Sequence, residues 1–304
     1  MNHPHDKLFK ATFSDQEVAQ DFLNHFLPHE TLAIIDVPSV TPQKDSFIQR
    51  DLKEFYSDML YRASFAGREG YVYILIEHKS YQDSQVVFQL LQYMLSIWQK
   101  EMTQTKESFL PVVLPIVFYT GKQQWENRRT IFDWLGGHHV DATLHSFIPN
   151  FEFLFYNISS DEKEFLVDSV KLKSYVQLNQ SLHEEDMESV YLIVIELDQS
   201  GERAFFKSVI TYLFHVSETF SKEVLKERLT MEGRQELMTV AEKLKREGFE
   251  IGRAEGKAEG MSAGKQAERR AIALKLLQLN MDEQEIMQVT GLTDKELVVL
   301  KEEL

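Results

Sequence analysis

Hydrophobic residues recur at helical spacing over residues 5–27, with a break near Ser14, and Pro28 predicts the end of this helical segment. The residues that follow predict a loop that contains Pro38 and Pro42. The first part of the chain is therefore predicted to form an amphipathic helix in two pieces, whose apolar face must pack on another element.

Two apolar stretches around a polar, glycine-containing turn predict a β-hairpin. The first covers residues 55–65 and the second residues 71–76, and Gly67 and Gly70 lie between them. The second stretch is apolar on both faces, which is typical of a strand at the centre of a sheet that helices cover on both sides.

A second helix and further strands continue the pattern. Apolar spacing predicts a helix over residues 84–103 and strands over residues 112–119 and 151–156. Pro115 cannot donate a backbone hydrogen bond, so it favours a sheet edge or a bulge within its strand. The order helix, strand, strand, helix, strand predicts an α/β fold, with a mixed four- or five-stranded sheet flanked by helices in residues 1–158.

The rest of the chain is predicted to be mostly helical, in three parts. Residues 159–247 form a mainly helical region, residues 248–266 a connector, and residues 267–304 a small helical module. Glycine recurs at every fourth position from 248 to 264, which indicates a marginal helix or a flexible segment, because each glycine costs a helix about 1 kcal/mol relative to alanine. We expect homo-oligomerisation through this helical region.

The composition is that of an ordinary folded protein. Of the 304 residues, 43% are hydrophobic, 27% are charged and none is cysteine, which excludes disulfides and thiolate metal sites. The apolar runs are shorter than the ~20 residues that a membrane-spanning helix needs, and the first residues lack the apolar core of a signal peptide. We therefore expect no membrane association and a cytoplasmic location.

The formal net charge of −15 argues against non-specific binding of nucleic acid, because lysine and arginine side chains supply most of that affinity. Residues 1–158 carry 13 basic and 19 acidic residues, a charge of −6, and the remainder carries 20 and 29, a charge of −9. Binding to DNA would therefore depend on local basic patches, on a bound divalent cation, or on both.

Two carboxylates and a lysine lie on the predicted hairpin strands. Asp58 belongs to the first strand, and Glu77 and Lys79 end the second, where side chains two residues apart share a face. A turn centred between Arg68 and Glu69 pairs Asp58 with Lys79, and a shift of two pairs it with Glu77. Both registers bring the three side chains to one face, whereas a shift of one separates them.

These residue types suit hydrolysis of a phosphodiester. The carboxylates of Asp58 and Glu77, with the backbone carbonyl of His78, form an oxygen site for Mg²⁺ or Mn²⁺. The amine of Lys79 would orient or help to deprotonate the attacking water, or stabilise charge on the phosphate. The alternative for the same residues is an ordinary surface ion pair at a strand end.

Several short segments resemble the Rpn family of recombination-promoting nucleases. The matching segments are residues 5–10 (HDKLFK), 56–58 (YSD), 76–80 (IEHKS), 88–93 (FQLLQY), 115–121 (PIVFYTG) and 290–293 (TGLT). The resemblance implies a PD-(D/E)XK restriction-endonuclease-like core and Mg²⁺-dependent DNA endonuclease activity, with Asp58, Glu77 and Lys79 as catalytic residues. It also implies a role in DNA recombination or in defence against foreign DNA such as that of phages.

Four further residues are candidates for supporting the site or contacting DNA. Gln89 and Tyr93 are similar to the Gln-x-x-x-Tyr pair of RecB-type exonucleases, although a polar flank on a core helix explains them equally well. Asp6 either caps the first helix or, with Lys10, brings polar groups to the metal or to phosphate.

Two other functions fit the sequence. The first is an inactive interaction protein that retains the nuclease fold, which the negative charge favours. The second is a transposase-related DNA-binding protein that uses the module of residues 267–304. The last predicted helix of that module, residues 294–304, contains more acidic than basic residues, so we favour dimerisation or interaction over DNA reading there.

Overall fold

The mixed β-sheet predicted from the strand pattern is present, and helices cover both of its faces. A computed structural model describes residues 4–43, 58–77, 85–104, 109–121, 125, 129–158 and 167–302. The chain divides into two compact units, Met1–Val240 and Ala241–Leu304. The sheet belongs to the first unit, and the division of the sequence into four parts stays a prediction.

Five strands form the sheet in the part of the chain that the structure describes, and their order across it is their order along the chain. They are β1 (Ile35–Pro42), β2 (Asp58–Phe65), β3 (Arg68–Glu77), β4 (Val112–Tyr119) and β5 (Leu154–Asn157). β2 is antiparallel to both of its neighbours, β1 and β3. β4 is parallel to both of its neighbours, β3 and β5. β3 is thus the central strand, as its apolar sequence predicts, and the α/β class with a mixed sheet is confirmed.

A two-residue turn joins β2 to β3. Ala66 and Gly67 have φ angles of 49° and 80°, which are the positive values that a tight hairpin turn of this length requires. The turn is shorter than the one assumed from the sequence, so Asp58 pairs with Leu75. Both registers predicted from the sequence, in which Asp58 pairs with Lys79 or with Glu77, are therefore wrong. The observed partner, Leu75, lies an even number of residues from each predicted partner.

The segment predicted to be a loop with Pro38 and Pro42 forms the edge strand β1 instead. Proline is tolerated there because only one side of an edge strand needs backbone donors. The side-chain amide of Gln20 donates to the carbonyls of Pro38 and Val40, at 3.1 and 3.3 Å, and so supports the strand. The pairing with β2 is irregular between Asp36 and Thr41.

Pro115 lies inside the sheet and not at an edge strand. It pairs with Tyr73 of β3, and the pairing of β4 with β5 begins one residue later, at Ile116. β4 is thus open on its β5 side at Pro115, so that the missing N–H group costs the sheet little.

One face of the sheet is covered by α4 (Val86–Gln104), close to the predicted helix. Leu60, Tyr73 and Val117 from three neighbouring strands form a buried core with Leu90 and Tyr93 of this helix. Strand alternation explains why these three residues share a face.

The opposite face carries α1 (Pro4–Phe13), α2 (Gln16–Phe26) and α6 (Val170–His183). The rings of Phe13 and Phe22 lie 5.3 and 4.8 Å from that of Phe118, and the hydroxyl of Tyr61 donates to the carbonyl of Phe13. The predicted break near Ser14 is confirmed, because the side chain of Asp15 caps α2. Short helical segments lie at α3 (His29–Leu32), α5 (Ile131–Trp134), Gly137–His139 and Ala142–Phe147.

A helical region follows the sheet. It consists of α7 (Met187–Ser200), α8 (Arg203–Val216), α9 (Lys222–Lys226) and the long helix α10 (Met231–Gln278), which includes the glycine-spaced segment. The buried carboxylate of Asp198 connects three of these helices. It accepts hydrogen bonds from Arg203 and from the backbone N–H and hydroxyl of Thr230, which precedes α10.

Those hydrogen bonds keep Asp198 ionised. Burial by itself would raise the pKa of this carboxyl, but the hydrogen bonds from Arg203 and Thr230 outweigh burial and hold the pKa below its ordinary value. The negative charge of Asp198 is therefore part of the fold.

The second compact unit begins at Ala241 and contains the larger part of α10 together with α11 (Glu283–Thr290) and α12 (Asp294–Glu302). Ala273, Ile286, Leu297 and Leu300 form its core. Left-handed residues terminate two of its helices: Asn280, with φ 56°, follows α10, and Gly291, with φ 67°, follows α11.

Among the helices that the structure describes, none is both long enough and apolar enough to cross a membrane.

We predict that Gly233→Ala destabilises the first unit, although alanine is normally the better helix former. A Cβ atom at Gly233 would lie 2.1 Å from an Asp198 carboxylate oxygen, so the substitution would disrupt the hydrogen bonds to Thr230. We expect a loss of about 2 kcal/mol in the free energy of unfolding, measured by denaturant titration. Met231→Ala, at a position 85% exposed, should be near neutral, and equal stability of the two variants would contradict the prediction.

Candidate active site

The two predicted catalytic carboxylates lie on adjacent strands at the same end of the sheet. Asp58 is the first residue of β2, and Glu77 is the last residue of β3. In the backbone register Asp58 pairs with Leu75, two residues before Glu77, and Glu77 pairs with Tyr119 at the end of β4. The backbone thus brings positions 58 and 77 close together at the carboxyl ends of the parallel strands, where open α/β sheets commonly bind ligands.

Positions 58 and 77 belong to one alternating set of strand positions. Leu60 pairs with Tyr73, and Leu75 pairs with Val117. Position 58 lies two residues before Leu60, and position 77 lies two residues after Leu75, so both belong to the same face of the sheet as these residues. The buried members of this set that pack under α4 are Leu60, Tyr71, Tyr73, Val113 and Val117.

Gln89 and Tyr93 lie on that same face. Both are buried on α4, and the ring of Tyr93 lies 4.8 Å from that of Tyr73. Their spacing of one helical turn directs both towards the sheet. The structure therefore places this pair on the side of the sheet to which the backbone positions of Asp58 and Glu77 belong.

His78 and Lys79 lie outside the described residues. Their assigned roles, as a backbone ligand and as a catalytic amine, stay predictions that follow from their place immediately after Glu77 in the chain.

Asp6 and Lys10 are positioned differently from Gln89 and Tyr93. They belong to the first and last turns of α1, which covers the opposite face of the sheet. Burial raises the pKa of the Tyr175 hydroxyl well above its ordinary value, and electrostatic interactions with Tyr212 and Asp6 raise it further. Asp6 thus lies close to this buried tyrosine, in the interface between α1 and the helical region.

A second group of possible metal ligands lies far along the chain from the hairpin residues. Within the described part of the chain, ligand atoms of Asp21, His25 and Asp168 lie within 4.8 Å of one another. The Asp21 carboxylate, however, already accepts hydrogen bonds from the backbone N–H groups of Asp168 and Ser169, at 3.3 and 2.9 Å. Ser169 is the residue that caps α6, so Asp21 joins α2 to the start of α6.

The structure also contains a cavity of about 790 Å³ that sequence reasoning missed. Thr120 and Gly121, which follow β4, line it together with His5 of α1 and residues at the carboxyl-terminal ends of α6 and α8. These residues are far apart in the sequence, and the imidazole Nδ1 of His5 lies 2.9 Å from the hydroxyl of Tyr212. No local motif marks such a site, because it exists only after the helical region has packed on α1.

We predict that Asp21 has a structural role and does not bind metal. Asp21→Asn should lower the free energy of unfolding by about 1–3 kcal/mol, because it removes the charged acceptor of two N–H groups at the start of α6. Asp168→Ala, which changes an exposed side chain of the same group, should be near neutral. Thermal unfolding with and without Mn²⁺ measures both effects, and a loss of Mn²⁺ stabilisation in both variants would instead identify a metal site.

Comparison with known proteins confirms the resemblance found in the motifs. The chain is 26% identical over 300 residues to the inactive recombination-promoting nuclease-like protein RpnE of Escherichia coli K12, covering 97% of this chain and 96% of RpnE. It is 24% identical over 249 residues to the recombination-promoting nuclease RpnD of E. coli O157:H7, covering 79% of this chain and 94% of RpnD. It is 36% identical over 118 residues to the recombination-promoting nuclease RpnA of E. coli K12, covering 39% and 40% of the two chains.

No solved structure matches the chain significantly. Residues 3–207 match the profile of the family described as "Putative transposase, YhgA-like", and this segment includes all five strands and every predicted site residue. Because the match covers more than half of the 304 residues, the chain belongs to the YhgA-like family.

Proposed function

We propose that the protein is a metal-dependent DNA endonuclease with a PD-(D/E)XK core, in which Asp58, Glu77 and Lys79 are catalytic. The observation that supports this most is the backbone register, which brings the start of β2 and the end of β3 together at an even spacing. Similarity to RpnD and RpnA, which are named recombination-promoting nucleases, supports a nuclease role.

The donor set suits a hard divalent cation. Two carboxylates at one sheet end, with the His78 carbonyl as a third oxygen, are the ligands that Mg²⁺ or Mn²⁺ prefers. Such an ion, when bound, polarises a phosphodiester and lowers the pKa of a bound water.

The protein residues would hold and orient the reactants. Asp58 and Glu77 fix the cation, and the Lys79 amine donates to the attacking water or to a phosphate oxygen, where negative charge develops. Gln89 and Tyr93 of α4 support the carboxylates from the face of the sheet that α4 covers. Lys10 acts from α1, at the opposite face, as a contact to DNA, whereas Asp6 supports α1 in its interface with the helical region.

A local positive charge offsets the unfavourable net charge near the proposed site. The guanidinium of Arg129 lies 5.5 Å from the centre of the Phe155 ring, and that ring lies 6.0 Å from the ring of Tyr119. Tyr119 pairs through its backbone with Glu77. Arg129 is therefore held near the proposed catalytic end of β3, where a planar guanidinium can bind phosphate with two hydrogen bonds.

The names of the relatives suggest that the cleavage serves recombination, and the same chemistry would also serve defence against foreign DNA, including that of phages. Both roles would place the protein with its DNA substrate in the cytoplasm.

A second copy of the chain is the partner that we propose for α10. Every residue from 245 to 272 is exposed, including the five glycines from Gly248 to Gly264. Most helical stability in proteins comes from packing, and these glycines cost about 5 kcal/mol relative to alanine. Packing of α10 against its equivalent in a homo-oligomer would offset this cost, and two active sites would let both strands of a duplex be cut.

An inactive interaction protein is the second candidate. RpnE, which is similar over 97% of this chain, is named an inactive nuclease-like protein, and the net charge of −15 also favours this alternative. A DNA-binding tail has less support, because Lys301 of α12 forms an ion pair with Glu283 of α11 and is not free to bind phosphate.

We predict that the purified protein nicks supercoiled plasmid only when Mg²⁺ or Mn²⁺ is present. Asp58→Ala and Glu77→Gln should each reduce the rate by about 10²–10³-fold, because each removes one of the charged groups that stabilise the transition state. Glu69→Gln is the matched control, since Glu69 lies at the other end of β3, is exposed and pairs with Arg62.

The control should retain the parental rate of nicking. Absence of cleavage with every divalent cation, in a preparation whose circular dichroism and thermal unfolding show a folded protein, would support the inactive alternative. Equal cleavage by the parent and by Glu77→Gln would exclude the proposed site.

We predict that the chain sediments as a homo-oligomer and that Gly256→Leu weakens the association. Leucine is a better helix former than glycine, so helix content should not fall, but its side chain would block close approach of a second helix. Sedimentation equilibrium measures the effect, and Lys257→Ala, one position away from the glycine spacing, should leave the association unchanged. A parent that is monomeric at all concentrations would rule out this assembly without affecting the proposed chemistry.

A further inference from the structure

The cavity at the end of β4 has a size and a position that suit a small polar ligand. Its volume of about 790 Å³ falls within the range of roughly 300–1,000 Å³ for small-molecule sites. Its wall includes Thr120, which directly follows the Tyr119 that pairs with Glu77. The cavity is thus close to the proposed catalytic end of the sheet, on the side covered by α1.

The lining chemistry disfavours an anion. Among the described residues that line the cavity, none is lysine or arginine, whereas Glu185 and Glu218 contribute carboxylates. Asn179, His183 and Tyr212 add an amide, an imidazole and a hydroxyl. Such a wall is short of positive charge and rich in hydrogen-bond acceptors, so it disfavours an anion and favours a ligand that carries N–H donors.

One ring nitrogen beside the wall lacks a partner. The Nδ1 atom of His183 is buried and has no hydrogen-bond partner among the described residues. This atom is covered by the protein, and its tautomer decides whether it donates or accepts, so the carboxylate of Glu185 is the acceptor that a ligand would meet in the wall. The imidazole of His5, by contrast, is held by the hydroxyl of Tyr212.

Glu185 departs from the usual sequence at the end of a helix. It follows α6 with φ 60°, and the N–H of Asp186 donates to the carbonyl of Ser181, as in a helix terminus that normally uses glycine. The ends of α7 and α11 do use glycine at the left-handed position, Gly201 and Gly291. A glutamate that is unfavourable for the backbone but lines a cavity is typical of a functional position.

A smaller groove beside the cavity provides the missing positive charge. It measures about 180 Å³ and is lined by Lys7 and Lys207, and Tyr212 lines both the groove and the cavity. Lys207 also pairs with Glu236 at 2.8 Å. A cavity that favours N–H donors, next to two lysines, fits a nucleotide within a DNA strand, with its base in the cavity and its phosphate at the lysines.

We propose that this cavity binds a nucleobase of the DNA substrate, turned out of the strand, and that the carboxylate of Glu185 accepts a hydrogen bond from its exocyclic amine. Carboxylates read such amines in DNA recognition, and enzymes that bind a single base in a pocket take it from single strands or turn it out of the duplex. The inference rests on the proposed function for the identity of the substrate, but base binding itself requires no cleavage.

Saturation-transfer NMR with deoxycytidine, deoxyadenosine, deoxyguanosine and thymidine tests the binding directly in the full-length protein. We expect transfer to the three amine-bearing nucleosides and little to thymidine, whose base lacks the amine. Glu185→Gly should weaken this binding by about tenfold or more while raising Tm by about 2–4 °C, because it removes an acceptor and relieves the left-handed backbone. Glu185→Gln should weaken binding without the gain in Tm.

Ala66→Gly is the matched control. It relieves another left-handed residue in the same compact unit but does not line the cavity, so it should raise Tm and leave nucleoside binding unchanged. Absence of transfer to every nucleoside, equal transfer to thymidine, or unchanged binding in Glu185→Gly would each overturn the inference.

Oligonucleotide cleavage separates this inference from the proposed function. In a series of substrates with one abasic position each, the parent should lose about tenfold or more in rate at one position near the cut, and Glu185→Gly should not distinguish that substrate. Cleavage by the parent that is insensitive to every abasic position would overturn base binding and leave the nuclease intact. Nucleoside binding by a protein that does not cleave DNA would support the cavity and reject the nuclease.

Discussion

The pairing of β2 with β3 is the constraint on which the proposed site depends. Side chains alternate along a strand, so an even displacement between the two strands keeps the same residues on the same face, and an odd one exchanges the faces. The turn at Ala66 and Gly67 sets this displacement, because its positive φ angles close the hairpin over two residues. Because β3 lies between β2 and β4, the start of β2 and the ends of β3 and β4 lie at the same end of the sheet.

Charge is the second constraint, and it acts against a DNA-binding role. With 15 more acidic than basic residues, the protein has no general attraction for a polyanion and must bind DNA through few, well-placed contacts. The described candidates are held by neighbouring groups: Arg129 lies over the ring of Phe155, and Lys207 pairs with Glu236. Such a protein would bind DNA weakly and with strong dependence on the divalent cation, which would restrain cleavage of non-target DNA.

The elements with a strong local pattern could be predicted from the sequence. β3 and α4 are apolar at the spacing of their structures. The sequence predicts Asp58 and Glu77 on one face of the hairpin, and an error of an even number of residues in the register leaves that face unchanged. β1 was missed, since an edge strand tolerates the prolines that normally indicate a loop.

The cavity could not be predicted, for a different reason. His5, Thr120, His183 and Tyr212 come from four separate elements, and only their packing brings them together. Glu185 did leave a local signal, because a charged residue stands where a helix end favours glycine, but that signal needs the helix boundary to be known first. The roles of His78 and Lys79 depend on residues beyond the described part of β3 and stay predictions.

The two edges of the sheet limit how copies of this chain can associate. β1 contains Pro38 and Pro42 and pairs irregularly with β2, and β5 is only four residues long. Neither edge offers a long, regular row of unpaired backbone groups on which a strand of another molecule could be added. These features protect the described edges of the sheet from aggregation by strand addition.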